Sequence, residues 1–160
     1  MLLLLIRHAL AAERDDGRFP DDSLRPLVAR GRKTQQRVGR WLAKRGLVPT
    51  TVLASPWKRA WQSAGIVARE TGAGKKARIV CPPLAADPKL DAIGPAVGPR
   101  EADEIVALVG HEPWLSELAS LLLTGSPTRL AIDFPKSAVV AIEVATVGAA
   151  SGKLRFFYAP

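Results

Sequence analysis

The stretch LLLLIRH, residues 2–8, decides the fold class of this chain. Its apolar part, Leu2 to Ile6, has the length of a strand and is far too short to span a bilayer. Arg7 and His8 follow at once, where an export signal would continue into small residues and a cleavage site. The stretch therefore predicts a buried first strand and indicates neither export nor membrane anchoring.

Outward from this strand, apolar runs of strand length alternate with longer segments of helical periodicity, which predicts an α/β domain with a mostly parallel sheet. Further strands are predicted at 51–54, 79–81 and 105–109, with a closing pair or trio near Ala131, at 138–144 and at 154–158. Helices are predicted at 32–44, from a Ser55 cap and Pro56 to about Glu70, and from Pro113 to Leu123. The composition of 9–24 indicates an exposed loop, and 85–99 is compatible with a short helix or an active-site flap.

Size and cysteine content limit the class of protein. The 160 residues, 48% of them hydrophobic, suit one domain that spans 1–160. The single cysteine, Cys81, excludes an internal disulfide framework and offers no cysteine cluster for a metal. We therefore expect a cytoplasmic protein in which Cys81 is buried and inert.

The net charge of +8 predicts an anionic ligand or partner. Nucleic acid is one such partner, but the basic residues are dispersed, mostly along one predicted helix, and no nucleic-acid-binding motif accompanies them. The charge alone therefore indicates only an anionic partner, and the absence of a nucleic-acid motif makes DNA or RNA the less favoured one.

Chemically active side chains follow three predicted strands. Arg7 and His8 come after the first, Arg59 after the second, and His111 after the fourth. Because ligands bind at the carboxyl ends of parallel strands, these residues are expected to share one crevice. Guanidinium groups match the oxygens of a phosphoryl group, and a neutral imidazole can attack phosphorus. The pattern predicts His8 as nucleophile, Arg7, Arg59 and His111 as phosphate-binding catalytic residues, and no metal.

The same segments resemble a known family. LLLLIRHALA is similar to the Arg-His signature of the histidine phosphatase superfamily, SPWKRAWQSA to its second-arginine motif, and LVGHEPWLSELASLLLTG to its second-histidine segment. The order of the motifs and the short chain resemble the SixA-type phosphohistidine phosphatases. The resemblance implies a three-layer α/β/α, phosphoglycerate mutase-like fold, a phosphohistidine intermediate on His8, and no cofactor.

One departure from the family concerns the acid that protonates the leaving group in many members. The segment CPPLAADPKLDAIGP has no matching glutamate, and Asp87 and Asp91 are the candidate general acids. An imidazole leaving group needs less help once its ring is protonated, so the departure favours a phosphorylated histidine on a protein domain. A small phosphorylated molecule or polyphosphate as substrate, and a non-catalytic module that binds phosphate or nucleic acid, are the alternatives.

Further residues have weaker indications. Gln62 and Ser63 could support Arg59 or simply pack, Trp57 could stack on a substrate ring, and Glu112 could orient His111 or begin a helix. Lys136 and Ser137 follow a strand-like segment and could line the pocket.

Overall fold

The first strand, β1, covers Leu2–Arg7 and lies in the interior of a six-stranded sheet. The computed structural model describes residues 1–15, 17–86 and 89–160. The other strands are β2 (Thr51–Ala54), β3 (Arg78–Val80), β4 (Ile105–Gly110), β5 (Val139–Val144) and β6 (Gly152–Tyr158). Their order across the sheet is β3-β2-β4-β1-β5-β6.

The strands that carry the candidate residues are parallel and in register. β1 pairs with β4, β4 with β2, and β2 with β3, all in parallel, while β5 runs antiparallel to β1 and to β6. Arg7 pairs with Gly110, and Ala54 pairs with Val109. The carboxyl ends of β1, β2 and β4 therefore lie at the same edge of the sheet, as the sequence predicted.

Helices cover both faces of the sheet. They are α1 (Ala29–Ala43), α2 (Lys58–Thr71), α3 (Leu90–Val97) and α4 (Trp114–Thr124), with short 3-10 turns at Asp22–Leu24, Lys75–Ala77 and Pro82–Ala85. Leu4 and Ile6 of β1 pack against α1 and α2, whereas Leu3 and Leu5 pack against α3 and α4. Because side chains alternate along a strand, one apolar run supplies both cores. The predicted three-layer α/β/α fold is confirmed.

A close contact between Gly31 and the main chain of Leu10 determines how α1 begins. A Cβ on Gly31 would collide with the main-chain oxygen of Leu10, so the helix can begin against the loop after β1 only with glycine there. Farther along, Gly39 lies so close to Glu70 of α2 that a Cβ would come within 2.6 Å of the Glu70 side chain. The contact at Gly39 allows α1 and α2 to pack closely side by side.

Several predicted boundaries need correction. α1 begins at Ala29 and not at Arg32, because its first turn packs through Gly31 and carries no apolar periodicity. β3 is shifted by one residue, and the undecided segment after it holds α3. Within the described ranges no strand forms near Ala131, where Pro127 and Pro135 flank the segment and cannot donate ladder hydrogen bonds. The closing strands are therefore a pair.

In the ranges that the structure describes, no helix is long and apolar enough to cross a membrane.

Candidate active site

The four predicted site residues meet at the carboxyl ends of β1, β2 and β4. Arg7 is the last residue of β1, and His8 follows it. Arg59 lies in the first turn of α2, directly after β2, and His111 follows β4. The ring centroids of His8 and His111 are 5.0 Å apart. The structure thus brings together side chains that are up to 104 positions apart in the sequence.

The main chain fixes the ring orientation of His8. Its Nδ1 lies 2.7 Å from the main-chain oxygen of Ala9, and a carbonyl oxygen can only accept, so Nδ1 carries the proton. The Nε2 of a neutral ring is then a bare lone pair. It accepts a hydrogen bond from Nε of Arg59 at 3.3 Å and lies 3.5 Å from Nζ of Lys136. His8 is 4% exposed, so this lone pair faces cationic donors in a nearly closed environment.

Ser63 holds the backbone on both sides of this arrangement. Its buried Oγ accepts a hydrogen bond from the amide of Ala9 at 3.0 Å and donates to the main-chain oxygen of Arg59 at 2.8 Å. Gln62 accepts from the amide of Leu27 at 2.8 Å. Both residues therefore position backbone segments, and neither hydrogen bonds to the Arg59 guanidinium as the sequence had suggested.

The guanidinium of Arg59 is fixed by a residue that the sequence reasoning missed. Asp22 accepts from Nη1 through its main-chain oxygen at 2.7 Å and from Nη2 through Oδ2 at 2.9 Å. Its other oxygen, Oδ1, accepts from Nε of Arg25 at 2.7 Å. Asp22 is one of several acidic residues in a loop, and nothing in their spacing distinguishes it.

Arg7 is fixed from the opposite side. Its Nη1 donates to the main-chain oxygen of Phe134, 2.6 Å away, in the segment that leads into β5. Among the described residues, the Nε of Arg7 is buried and has no hydrogen-bond partner. Lys136 and Ser137 follow in the same segment, and the amide of Ser137 donates to the main-chain oxygen of His8 at 3.4 Å. Both residues with weaker indications thus lie beside His8.

His111 contacts Ser55 and not a carboxylate. Its Nε2 lies 2.9 Å from Ser55 Oγ, which also accepts from the amide of Trp57 at 3.2 Å. The predicted capping role of Ser55 is therefore wrong: α2 begins later, with Trp57 at its N-cap position, and the hydroxyl turns toward the histidine. Within the described part of the chain, the buried Nδ1 of His111 has no hydrogen-bond partner.

Trp57 lies against the site residues themselves. Its ring is 4.8 Å from that of His111, and the guanidinium carbon of Arg59 lies 4.5 Å from its centroid. The indole therefore helps to hold Arg59 in place through a cation-π contact.

Burial and positive charge lower the basicity of the site. Burial, with the nearby charge of Lys136, lowers the pKa of His8 from 6.5 to about 2. Burial, with the charges of Arg59 and Lys136, lowers the pKa of His111 from 6.5 to about 3. Burial, with the charges of Arg7 and Arg59, lowers the pKa of Lys136 from 10.5 to about 8. Both imidazoles are therefore neutral at pH 7, in a pocket whose potential attracts anions.

The predicted general acids and Glu112 were each located relative to the four site residues. Asp91 is exposed in the first turn of α3 and lines a cavity of about 510 Å³ with Trp114 and Glu117, and this cavity includes none of the four predicted site residues. Asp87 lies outside the described residues. Glu112 accepts from the amide and the hydroxyl of Ser116 at 3.0 and 2.8 Å, so it stabilises the start of α4.

Within the described ranges, no group of three His, Cys, Asp or Glu side chains is placed to hold a metal ion. Cys81 is buried, and burial raises the pKa of its thiol.

A search of family models matches residues 3–82, half of the chain, to the histidine phosphatase superfamily (branch 1). An uncharacterized protein of Picosynechococcus sp. is 32% identical over 145 residues, which cover 89% of this chain and 84% of that protein.

Solved structures share the fold over nearly their whole length. The protein histidine phosphatase SixA in complex with tungstate superposes with a TM-score of 0.84 at 22% identity, covering 100% of this chain and 97% of that one. A SixA structure from Agrobacterium tumefaciens gives a TM-score of 0.77 at 20% identity, with 99% and 97% covered. At these identities the similarity establishes the fold.

Proposed function

The chain belongs to the histidine phosphatase superfamily and is a phosphatase, and we propose that Nε2 of His8 takes the phosphoryl group from its substrate. The observation that carries this proposal is the 2.7 Å contact between Nδ1 of His8 and the Ala9 carbonyl, which leaves the lone pair on Nε2. The low pKa of His8, about 2, keeps that lone pair free of a proton at physiological pH.

In the first step, the lone pair of Nε2 forms a bond to phosphorus while the bond from phosphorus to the leaving group breaks. The leaving group departs with that electron pair. A phosphohistidine that is protonated on its other ring nitrogen leaves as neutral imidazole, so no further proton is needed, whereas an alkoxide leaving group takes one from water or a general acid. In the second step, water attacks the phosphorus of phosphohistidine and the N–P bond returns its electrons to Nε2. One hydrogen of the water stays on the new hydroxyl of inorganic phosphate, and the other is released to solvent as a proton. At the end of the cycle the ring is neutral again, with a proton on Nδ1 and the lone pair on Nε2.

Positive and hydrogen-bonding groups surround the position of the transferred group. Arg59 and Lys136 already contact Nε2 of His8, so both meet the equatorial oxygens once phosphorus approaches that atom. The buried Nε of Arg7 and Nδ1 of His111 lack partners among the described residues, and phosphoryl oxygens would satisfy both. If Ser55 donates to Nε2 of His111, the proton on Nδ1 faces the oxyanion.

The substrate that we propose is a phosphorylated histidine on a protein domain. The fold similarity to a protein histidine phosphatase supports this choice. The site chemistry supports it too, because two carboxylates beside the site residues are engaged: Asp22 binds two arginines, and Glu112 binds Ser116. An imidazole leaving group can depart protonated without a dedicated carboxylic acid. Asp87 and Asp91 remain the candidate acids for other leaving groups. A cytoplasmic location stays the expectation drawn from the single cysteine of the sequence.

The test compares wild type with His8→Ala, using Arg129→Gln on an exposed surface as the control. Substrates are a phosphohistidine protein and a panel of sugar, nucleotide and polyphosphate compounds. We expect wild type and the control to prefer phosphohistidine and to show an acid-labile phosphoryl adduct on a histidine, and His8→Ala to show neither while its circular dichroism is unchanged. Wild-type turnover by His8→Ala refutes the nucleophile, and preference for a metabolite refutes the substrate.

A further inference from the structure

The positive charge of the protein is concentrated on one helical layer. Residues 29–78 hold thirteen of the 23 Lys and Arg residues and one acidic residue, Glu70, whereas the rest of the chain has more acidic than basic residues. This segment contains α1 and α2, which pack together on the same face of the sheet. The net charge of +8 is therefore a local property of the α1–α2 layer.

The outer surface of α1 is basic along its length. Its exposed charged side chains are all cations: Arg30, Arg32, Lys33, Arg37 and Arg40. We call these residues, together with Arg69, Lys75 and Arg78, the basic face. Because α1 has no acidic residue, no i,i+4 ion pair within the helix neutralises its positive charge.

A cleft lies within the basic face, lined by α2 and the segment that follows it, with Arg32 contributed by α1. It has a volume of about 430 Å³, and its lining includes the cations Arg32, Arg69, Lys75 and Arg78 and no carboxylate. Arg69 is paired with Glu70 at 2.7 Å, so Arg32, Lys75 and Arg78 are the cations of the lining without a carboxylate contact among the described ion pairs. Gly65, Gly72 and Gly74 also line it, so main chain is accessible there. A Cβ on Gly65 would collide with the guanidinium of Arg78, which lies against the backbone. The cleft is suited to carboxylate or phosphate groups.

The cleft begins close to the phosphate-binding site. Gln62, which lines it, is one turn beyond Arg59 on α2, and Arg69 lies about 15 Å beyond Arg59 at the rise of an α-helix. Arg32 near the start of α1 donates to Gln62 at 3.4 Å, while Arg40 near its end pairs with Glu70 at 2.9 Å. The two helices therefore run in the same direction, and the basic face extends away from the site along both.

We propose that the basic face docks an acidic polypeptide segment of the protein that carries the phosphoryl group, with carboxylates in the cleft. This proposal rests on the proposed function, and it adds the charge and the location of the substrate's second contact. A polypeptide fits better than nucleic acid, because the aromatic faces of this layer are covered: Trp41 stacks on Tyr158 at 4.0 Å, and Arg78 lies over Trp61 at 3.8 Å. Sites for single-stranded nucleic acid use open aromatic rings for base stacking, so the covered rings argue against a single strand.

The experiment uses two synthetic peptides that each carry one phosphohistidine, flanked by glutamates in one and by glutamines in the other. The enzyme variants have equal charge changes: Arg32→Gln, Arg69→Gln and Lys75→Gln in the cleft, and Arg129→Gln, Lys153→Gln and Arg155→Gln as the control. All six side chains are exposed, so both triple variants should fold. The readout is the ratio of kcat/KM for the two peptides at low and high salt.

We expect wild type and the control variant to favour the glutamate peptide by about tenfold at low salt, a preference that falls as salt rises. The cleft variant should lower that ratio toward one. Equal ratios in all three proteins, or the same loss in the control, overturn the proposal. Binding of unphosphorylated glutamate peptide to His8→Ala, measured by fluorescence anisotropy, tests docking even if the proposed chemistry fails. Tighter binding of a single-stranded oligonucleotide of matched charge would assign the face to nucleic acid and also overturn it.

Discussion

Asp22 binds both terminal nitrogens of the Arg59 guanidinium, with Oδ2 at 2.9 Å from Nη2 and the main-chain oxygen at 2.7 Å from Nη1. The Arg59 side chain is 5% exposed, so this pair lies at the edge of the core and not in bulk solvent. A residue of the loop after β1 thus determines where the guanidinium of α2 is held.

We predict that Asp22→Ala lowers kcat/KM by about tenfold, because a hydrogen bond between charged partners contributes about 1.5–3 kcal/mol and its loss frees Arg59 to move. Steady-state kinetics on a phosphohistidine peptide measure this effect. Asp21→Ala is the matched control, since Asp21 caps only the short turn through the amide of Ser23. Equal losses in the two variants would show that loop order, and not the contact with Arg59, is responsible.

Ser63→Ala should impair both folding and turnover. The substitution leaves the buried amide of Ala9 without its acceptor, at a cost of about 1–3 kcal/mol in the free energy of unfolding. Because that amide adjoins the carbonyl that holds His8, kcat should fall as well. Thr71→Ala, which removes a buried hydroxyl bonded only within α2, should lower stability alone. Urea denaturation and initial rates, measured on both variants, separate the effects; an unchanged kcat in Ser63→Ala contradicts the prediction.

The free energy of unfolding should decrease as pH falls through the range in which the histidines of the unfolded chain bind protons. Their folded pKa values, about 2 and about 3, lie below the unfolded value of 6.5, so the unfolded chain binds protons that the folded chain does not. The free energy of unfolding is therefore not reduced by these histidines above pH 6.5. It decreases as pH falls below 6.5, by about 2 kcal/mol for each histidine at pH 5. Unfolding at pH 7 and pH 5 measures the slope. His8→Asn with His111→Asn should flatten it, and an unchanged slope would be the contrary result.

Anion binding should draw a proton onto Lys136. With a pKa of about 8 in the free protein, this lysine is mostly neutral at pH 9, and a bound dianion favours its charged form. Calorimetry of tungstate binding at pH 9, in two buffers of different ionisation enthalpy, should show proton uptake in wild type. Lys136→Arg stays charged in both states and should show little uptake. Equal uptake in the two proteins would assign the proton to another group.

Local sequence predicted much of this molecule because its strands are continuous apolar runs. Thr51–Ala54 was predicted to the residue, and the positions of Arg7, His8 and His111 followed from where the strands end. The convergence of these residues was predictable too, since parallel strands place their carboxyl ends at one edge. Periodicity failed where contacts with distant segments determine the structure, as in the first turn of α1, which depends on the approach of Gly31 to Leu10.

The site residues that were missed, or that had only weak indications, have little local signal. Asp22 is 37 positions from Arg59, and its neighbours are equally acidic, so only the folded chain distinguishes it. Ser55 precedes a proline and a helix, a pattern typical of a cap, yet its hydroxyl contacts a histidine 56 positions away. Lys136 was noted only because it follows a strand-like segment. The distance of 3.5 Å between Nζ of Lys136 and Nε2 of His8 depends on the antiparallel pairing of β5 with β1.

The acceptor that holds Nδ1 of His8 is a peptide carbonyl and not a side chain. Every residue type has that carbonyl, so no substitution at position 9 can delete it, and no change of acidity can protonate it in the range where proteins function. The orientation of the reactive ring is therefore inherited with the path of the backbone. Evolution can change the groups around it, and with them the choice of substrate, without disturbing the atom that we propose performs the attack.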